Sequence, residues 1–332
     1  MTEDREPFRP AGWLRSAHLQ TLWPSLSRRL PALPLARERL ELPDGDFLDL
    51  DWTPITDGPI VLVLHGLEGS SRSRYARGLL AAVQRRRWQG VVMHFRGCSG
   101  EPNRLPRSYH SGETGDLARV AAILRGRFPG RPLAVVGYSL GGNVLLKWLG
   151  ETGASSPVSC AAAVSIPFEL DAAARRLTRG FSRFYQWWLL RSLRRSVERK
   201  VARRILPAEF TARAAAADFW TFDDRITAPL HGFAGADDYY RRSSCRQYLG
   251  GITVPTLVVH ARDDPFLFPE AIPSTAEAGT GVTLEVHERG GHVGFVAGRW
   301  PWRPDYWLER RIPAFLDTWL VRAEPLPPRG RQ

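Results

Sequence analysis

Four short, predominantly apolar stretches, at 60–64 (uninterrupted), 90–95, 133–138 and 158–166, constrain this chain more than any other feature. Such a run has no polar alternation, so it suits a strand covered on both faces. Stretches with helical spacing lie between the runs, at 74–87, 115–128 and 140–149. In the first of these, Tyr75, Leu79, Leu80 and Val83 fall on one face. Strands and helices alternating at these lengths predict a parallel sheet with helices on both sides. The rhythm breaks at Pro167 and resumes with a strand at 256–260, a helix at 269–278 and a strand at 282–287. A last helix is expected from about residue 305 to 320.

The interruption, 167–250, has helical composition with many arginines and clustered aromatics, and reads as a helical cap inserted above one sheet. Residues 1–36 read as an arm with one short helix near 16–22, held by Trp13 and Trp23. Two apolar-polar stretches, 38–42 and 47–52, flank Pro43-Asp44-Gly45-Asp46 and predict an antiparallel hairpin. The expected organisation is therefore an arm (1–36), a core in two parts (37–166 and 251–323), the cap (167–250) and a proline-rich tail (324–332).

Composition removes several function classes. With 43% hydrophobic and 24% charged residues the 332-residue chain is suited to a folded globule rather than disorder. No apolar run approaches the roughly 20 residues that cross a bilayer. The charged start, Met1-Thr2-Glu3-Asp4-Arg5-Glu6, does not resemble a secretory leader. Cys98, Cys160 and Cys245 are too few and too scattered for a disulfide framework or a zinc site, so a cytoplasmic setting is expected. All but two of the 46 basic residues are arginine, the exceptions being Lys147 and Lys200. The net charge of +12 reads as a solvated surface; no nucleic-acid-binding motif accompanies it, and no nucleic-acid partner is expected.

Gly137-Tyr138-Ser139-Leu140-Gly141 carries the chemistry. In a chain with 30 glycines that spacing alone is weak. Here an apolar strand runs straight into it and an apolar helix (Val144, Leu145, Trp148, Leu149) leaves it, as a nucleophile elbow requires. The serine of such an elbow is strained, and its neighbours two positions away must lack side chains for the turn to close. Gly137 and Gly141 meet that need, and the helix start aims free N–H groups at the serine. A second donor is expected from the loop after an early strand. His65-Gly66-Leu67-Glu68-Gly69 follows the first run, so the predicted oxyanion hole is the N–H groups of Leu67 and Leu140. His65 itself is expected to bond the loop backbone.

A serine hydroxyl needs a base to take its proton and a carboxylate to orient that base. The chain order at such an elbow is Ser, then Asp or Glu, then His. Of eight histidines, His18, His65, His94 and His110 precede Ser139; His231 lies in the cap, His260 inside a strand and His287 at a strand end. His292 remains, in a glycine-rich loop after the last sheet strand. Asp263 and Asp264 are the candidate acids, and Asp264, just before Pro265, is preferred.

Together these stretches resemble the bacterial YheT-type hydrolases, relatives of the animal ABHD lipases and esterases. The likeness rests on six stretches, numbered 65–70 (His65 to Ser70), 93–103 (Met93 to Asn103), 109–114 (Tyr109 to Thr114), 137–143 (Gly137 to Asn143), 260–266 (His260 to Phe266) and 290–295 (Gly290 to Phe295). His18-Leu19-Gln20-Thr21 and Asp237-Asp238-Tyr239-Tyr240 extend it over nearly the whole chain. The resemblance implies the α/β-hydrolase fold, a triad of Ser139, Asp264 and His292, a small-molecule ester substrate and no cofactor. It leaves oligomeric state and physiological substrate open.

Three features have two readings each. The 95–100 loop either shapes the substrate pocket or is a tight structural turn, and the turn is preferred. Asp223-Asp224 and Asp237-Asp238 lack His or Cys partners at ligand spacing, so ion pairs with the cap's arginines are expected in place of a metal site. The basic segment 175–204, with Trp187, Trp188, Leu189 and Leu190, is expected to turn its aromatics onto the substrate cavity. The alternative is a peripheral contact with anionic lipid.

Overall fold

The computed structural model describes residues 7–320; the tail at 324–332 lies outside the described residues. Eight strands form one sheet in the order β1-β2-β4-β3-β5-β6-β7-β8. They are β1 (Ala36–Glu41), β2 (Phe47–Trp52), β3 (Ile60–Leu64), β4 (Gln89–Met93), β5 (Leu133–Tyr138), β6 (Cys160–Val164), β7 (Thr256–Ala261) and β8 (Val282–His287). β1 and β2 make the predicted hairpin, and β2 meets β4 antiparallel. Every pairing from β4 to β8 is parallel.

The uninterrupted apolar run of β3 has the double burial it implies. Ile60, Leu62 and Leu64 face a cluster with Leu117, Leu124, Leu145 and Leu149, from helices α3 (Gly115–Arg127) and α4 (Leu140–Thr152). Val61 and Val63 face the opposite cluster with Leu79, Val83, Ile312 and Leu316, from α2 (Arg74–Arg85) and α11 (Leu308–Leu320). A period of two in the strand thus divides one run between two cores.

Between β6 and β7 the chain forms α5 (Leu170–Leu177), α6 (Ser182–Ala202), the short α7 (Glu209–Arg213), α8 (Phe219–Phe222) and α9 (Ala228–His231), and α10 (Ala236–Ser243). This segment has an apolar cluster of its own, including Leu177, Tyr185, Leu190, Phe210, Phe219 and Tyr240. The N-terminal helix α1 (Ala17–Ser27) is tied to the sheet side by Gln20. The Gln20 side-chain amide donates to the Leu14 and Val296 carbonyls and accepts from the Val296 N–H. Trp13 and Trp23 pack edge to face beneath it, with ring centres 5.1 Å apart.

Two expectations need correction. The helix expected at 269–278 is two single turns, Pro269–Ala271 and Thr275–Glu277. Pro273 lies between them, and proline inside a helix removes a hydrogen bond and clashes with the preceding turn. The last helix begins at Leu308, because β9 (Val296–Trp300) and β10 (Arg303–Tyr306) form a separate antiparallel hairpin just before it.

Candidate active site

Parallel strands carry their carboxyl ends to one edge, and loops leaving that edge meet. Ser139 follows β5, Asp264 follows β7 and His292 follows β8. The turn at Ser139 is strained as the spacing predicts: φ is +51° and ψ −120°. A Cβ on Gly137 would stand 2.5 Å from the Gly141 carbonyl oxygen, and one on Gly141 would stand 2.5 Å from the His65 carbonyl oxygen. Only glycine fits at either position. The Ser139 N–H donates to the Val164 carbonyl (2.9 Å), which pins the turn to the neighbouring strand.

The structure brings Ser139, His292 and Asp264 into one hydrogen-bonded line. The Asp264 oxygens lie 2.8 and 3.1 Å from His292 Nδ1, and His292 Nε2 lies 3.0 Å from Ser139 Oγ. A carboxylate can only accept, so Nδ1 carries the ring proton and Nε2 is free to accept from the serine hydroxyl. Asp264 is buried and also accepts the Phe266 N–H at 2.8 Å. The Phe266 ring stacks on the imidazole, with centres 3.9 Å apart and planes 13° apart, fixing its tilt. Asp263 points elsewhere: it accepts the Gly291 N–H at 2.9 Å and braces the histidine loop, and burial pushes its carboxyl up. His260 lies 4.0 Å from Asp264, but burial pushes it down to about 4, so it stays neutral there.

Leu140 opens α4, so its N–H is one of those a helix leaves without an internal acceptor. The Leu67 N–H has no acceptor among the described residues, and both residues line a cavity together with Ser139. The His65 ring bonds backbone, as its strand-end position suggested. Nδ1 donates to the Gly66 carbonyl at 2.7 Å and Nε2 accepts the Phe95 N–H at 3.2 Å. Burial pushes this histidine down to about 3.

Several contributors had no role assigned from sequence. Glu68, next to Leu67, has φ +54°; its carboxylate accepts three hydrogen bonds and its N–H donates a fourth. Its N–H donates to the Tyr109 hydroxyl (2.8 Å), which donates back to its carboxylate (2.9 Å). Ser192 and Ser196, one turn apart on α6, donate to the other carboxylate oxygen at 2.9 Å each. Thr21 accepts the His292 N–H and Ser165 accepts the Val293 N–H, each at 2.9 Å. The arm is thus part of the histidine's support. Thr21 and Glu68 lie in stretches that carry the family resemblance, which was the signal available.

Two cavities meet at Ser139. The first, about 130 Å³, lies under the 167–250 segment and is walled by Leu170, Leu177, Leu189, Leu193, Phe219 and Phe222. Asp223, Tyr239, Tyr240, His110 and Ser111 add polar groups to it. Asp223 accepts from Thr227 (2.5 Å) and Tyr240 (2.8 Å), and burial pushes its carboxyl up to about 6. The second, about 520 Å³, is a groove between α1 and the start of α6 with Ser139 and His292 at its base.

Three expectations about side chains are corrected or narrowed here. Phe181, Phe184 and Trp188 line the outer groove at Ser139 while remaining half exposed, and Trp187 lines neither cavity; leucines and the α8 phenylalanines wall the inner cavity. Of Asp223, Asp224, Asp237 and Asp238, only Asp238 pairs with arginines among the described residues, Arg241 and Arg242. Asp224 accepts the Ala236 N–H and Asp237 the Trp220 indole N–H. The 95–100 loop lines neither cavity at Ser139; its buried Arg96 bonds Asp116, Asp44 and Asp46, a structural tie.

The profile of the alpha/beta hydrolase fold family matches residues 59–298, most of the chain and all of these loops. The chain belongs to the α/β-hydrolase fold family. Escherichia coli YheT, an esterase by name, is 46% identical over 319 residues, covering 94% of each chain. The mouse phospholipase ABHD3 is 30% identical over 332 residues, covering 97% of this chain and 80% of its own. Among solved structures, an esterase of Pyrococcus furiosus superposes with a TM-score of 0.55 at 17% identity, covering 87% of this chain and 92% of that one. That last likeness speaks for the fold alone. Among the described residues no helix is long and apolar enough to cross a membrane.

Proposed function

We propose that this α/β-hydrolase cleaves carboxylic esters through a Ser139-His292-Asp264 triad and an acyl-enzyme intermediate. The observation that carries the reading is the continuous line from Asp264 through His292 to Ser139 Oγ, with every separation within hydrogen-bond range. The names of the relatives, an esterase and a phospholipase, support an ester as the scissile group.

In this mechanism Ser139 Oγ attacks the ester carbonyl carbon as His292 Nε2 takes its proton. The C=O electrons move onto oxygen, and the Leu67 and Leu140 N–H groups hold that oxyanion. Collapse expels the alcohol, which leaves with the proton from His292. Water then attacks the acyl-serine, losing a proton to His292, and collapse releases the acid as His292 returns that proton to Ser139 Oγ. Asp264 holds the ring tautomer and stabilises the imidazolium.

The 167–250 segment acts as the cap, a reading supported by its separate apolar cluster and by the cavity walls it supplies. An ester of moderate chain length fits two spaces that meet at the nucleophile: a small apolar group in the inner cavity and the rest in the groove. Hydrolysis across a graded series of p-nitrophenyl esters tests this. Turnover is expected with a chain-length optimum, and abolition in Ser139→Ala. Turnover that survives Ser139→Ala would sink it.

A further inference from the structure

We propose that the face bearing the groove mouth docks on an anionic phospholipid bilayer. The first turns of α6 hold Phe181, Phe184, Trp187 and Trp188 at 51, 41, 51 and 60% exposure. Across the groove α1 presents Leu19 and Leu26, at 50 and 74%. Large apolar side chains gathered at one opening mark a binding surface rather than scatter. A tryptophan, with an apolar body and a polar N–H, prefers the boundary between lipid and water.

Charge selects the occupant. Arg179, Arg183, Arg191 and Arg195, on and just before α6, are largely solvent-facing. None has a carboxylate within 4.0 Å among the described residues. Arg191 instead lies over the Trp187 ring at 5.6 Å. Exposed Arg72 lines the groove as well. The one carboxylate among the groove-lining residues, Glu309, is already paired with Arg28. Aromatics ringed by free guanidinium groups fit the interfacial pattern of a helix lying on anionic headgroups. A second copy of the chain fits poorly, because a two-fold contact on this face would set these arginines against one another. Docked in this way, the groove opens toward the bilayer with Ser139 at its base, so a lipid ester reaches the serine without crossing water. This last point rests on the hydrolase reading; the docking does not.

Flotation of the full chain with vesicles tests it, since partitioning needs no turnover. Phosphatidylcholine vesicles are compared with vesicles that also contain phosphatidylglycerol. Binding is expected to the anionic vesicles, weakening with salt and with a blue shift of tryptophan emission. The double variant Trp187→Ser/Arg191→Glu touches two residues that line neither cavity. It is expected to lower partitioning by about tenfold or more while leaving hydrolysis of a short, water-soluble p-nitrophenyl ester unchanged. Failure of the folded protein to bind anionic vesicles at low salt overturns the proposal. So does equal binding to neutral vesicles, indifference to the double variant, or capture of an acidic protein in place of lipid. Vesicle binding without any ester hydrolysis supports the docking and counts against the hydrolase reading alone.

Discussion

Replacing Asp264 with asparagine changes one oxygen to NH₂ and tests the triad at its least visible member. Asp264 has two duties: one oxygen accepts the Phe266 N–H at 2.8 Å, and the other accepts a hydrogen bond from the His292 Nδ1–H at 2.8 Å. In Asp264→Asn the remaining carbonyl oxygen is needed by Phe266, so the amide NH₂ turns toward Nδ1. A donor facing Nδ1 forces the ring proton to Nε2, where it points at Ser139 and cannot be replaced by the serine proton. The packing changes little, because the residues are isosteric and Phe266 keeps its place. Loss of the correct tautomer costs about 10⁴-fold in kcat in triads of this kind, which is roughly 5.4 kcal/mol of transition-state stabilisation. Asp263→Asn is the matched control. Its carboxylate accepts from the neutral backbone N–H groups of the histidine loop, Gly291 at 2.9 Å, which an amide oxygen does equally well, and a change within about tenfold is expected. The assay is kcat on a soluble p-nitrophenyl ester with the melting temperature measured alongside. Near-normal kcat in Asp264→Asn, or a collapse in Asp263→Asn with its fold intact, would refute the assignment.

Three other outcomes are expected. Glu68→Ala cuts the oxyanion loop loose from Tyr109, Ser192 and Ser196, and one misplaced oxyanion donor is worth up to about 10²–10³ in kcat. The loss should appear in kcat with KM little changed, and an unchanged kcat would show that the loop holds itself. Gly141→Ala drives a Cβ into the His65 carbonyl oxygen, so a stability loss of about 3 kcal/mol or more and no activity are expected in urea unfolding and ester assays. Acid should weaken the fold through His65 and His260, pushed down to about 3 and about 4. As pH falls below about 6.5 the unfolded chain binds their protons and the native one does not. These two rings alone therefore remove up to about 2.7 kcal/mol of stability per pH unit between roughly pH 6 and 5, readable from urea midpoints. A flat profile in that window would contradict the burial of neutral rings.

The parallel sheet was legible because its strands are continuous runs such as Ile60-Val61-Leu62-Val63-Leu64, which only double burial explains. The elbow and the late loops were legible for a related reason: strained turns and close approaches demand glycines at fixed spacing around Ser139 and His292. The β9–β10 hairpin was not, since Val296-Ala297-Gly298-Arg299-Trp300 lacks alternation and its pairing carries a register shift. The direction of the α6 aromatics was hidden as well. Apolar side chains occupy both faces of that helix, with Tyr185 and Leu190 buried while Trp187 and Trp188 are exposed, so no stripe marks the inner side. The Glu68 link was hidden because it joins residues more than 120 positions apart, through hydroxyls that no local pattern singles out.

The central claim is that Ser139 is the nucleophile, and covalent capture tests it most directly. The full chain is treated with a fluorophosphonate, weighed intact and mapped by peptide mass. A single adduct on the peptide holding Ser139, absent from Ser139→Ala and slowed in Asp264→Asn, is the predicted result. A folded, monodisperse protein that takes up no label, or takes it up elsewhere, would contradict it.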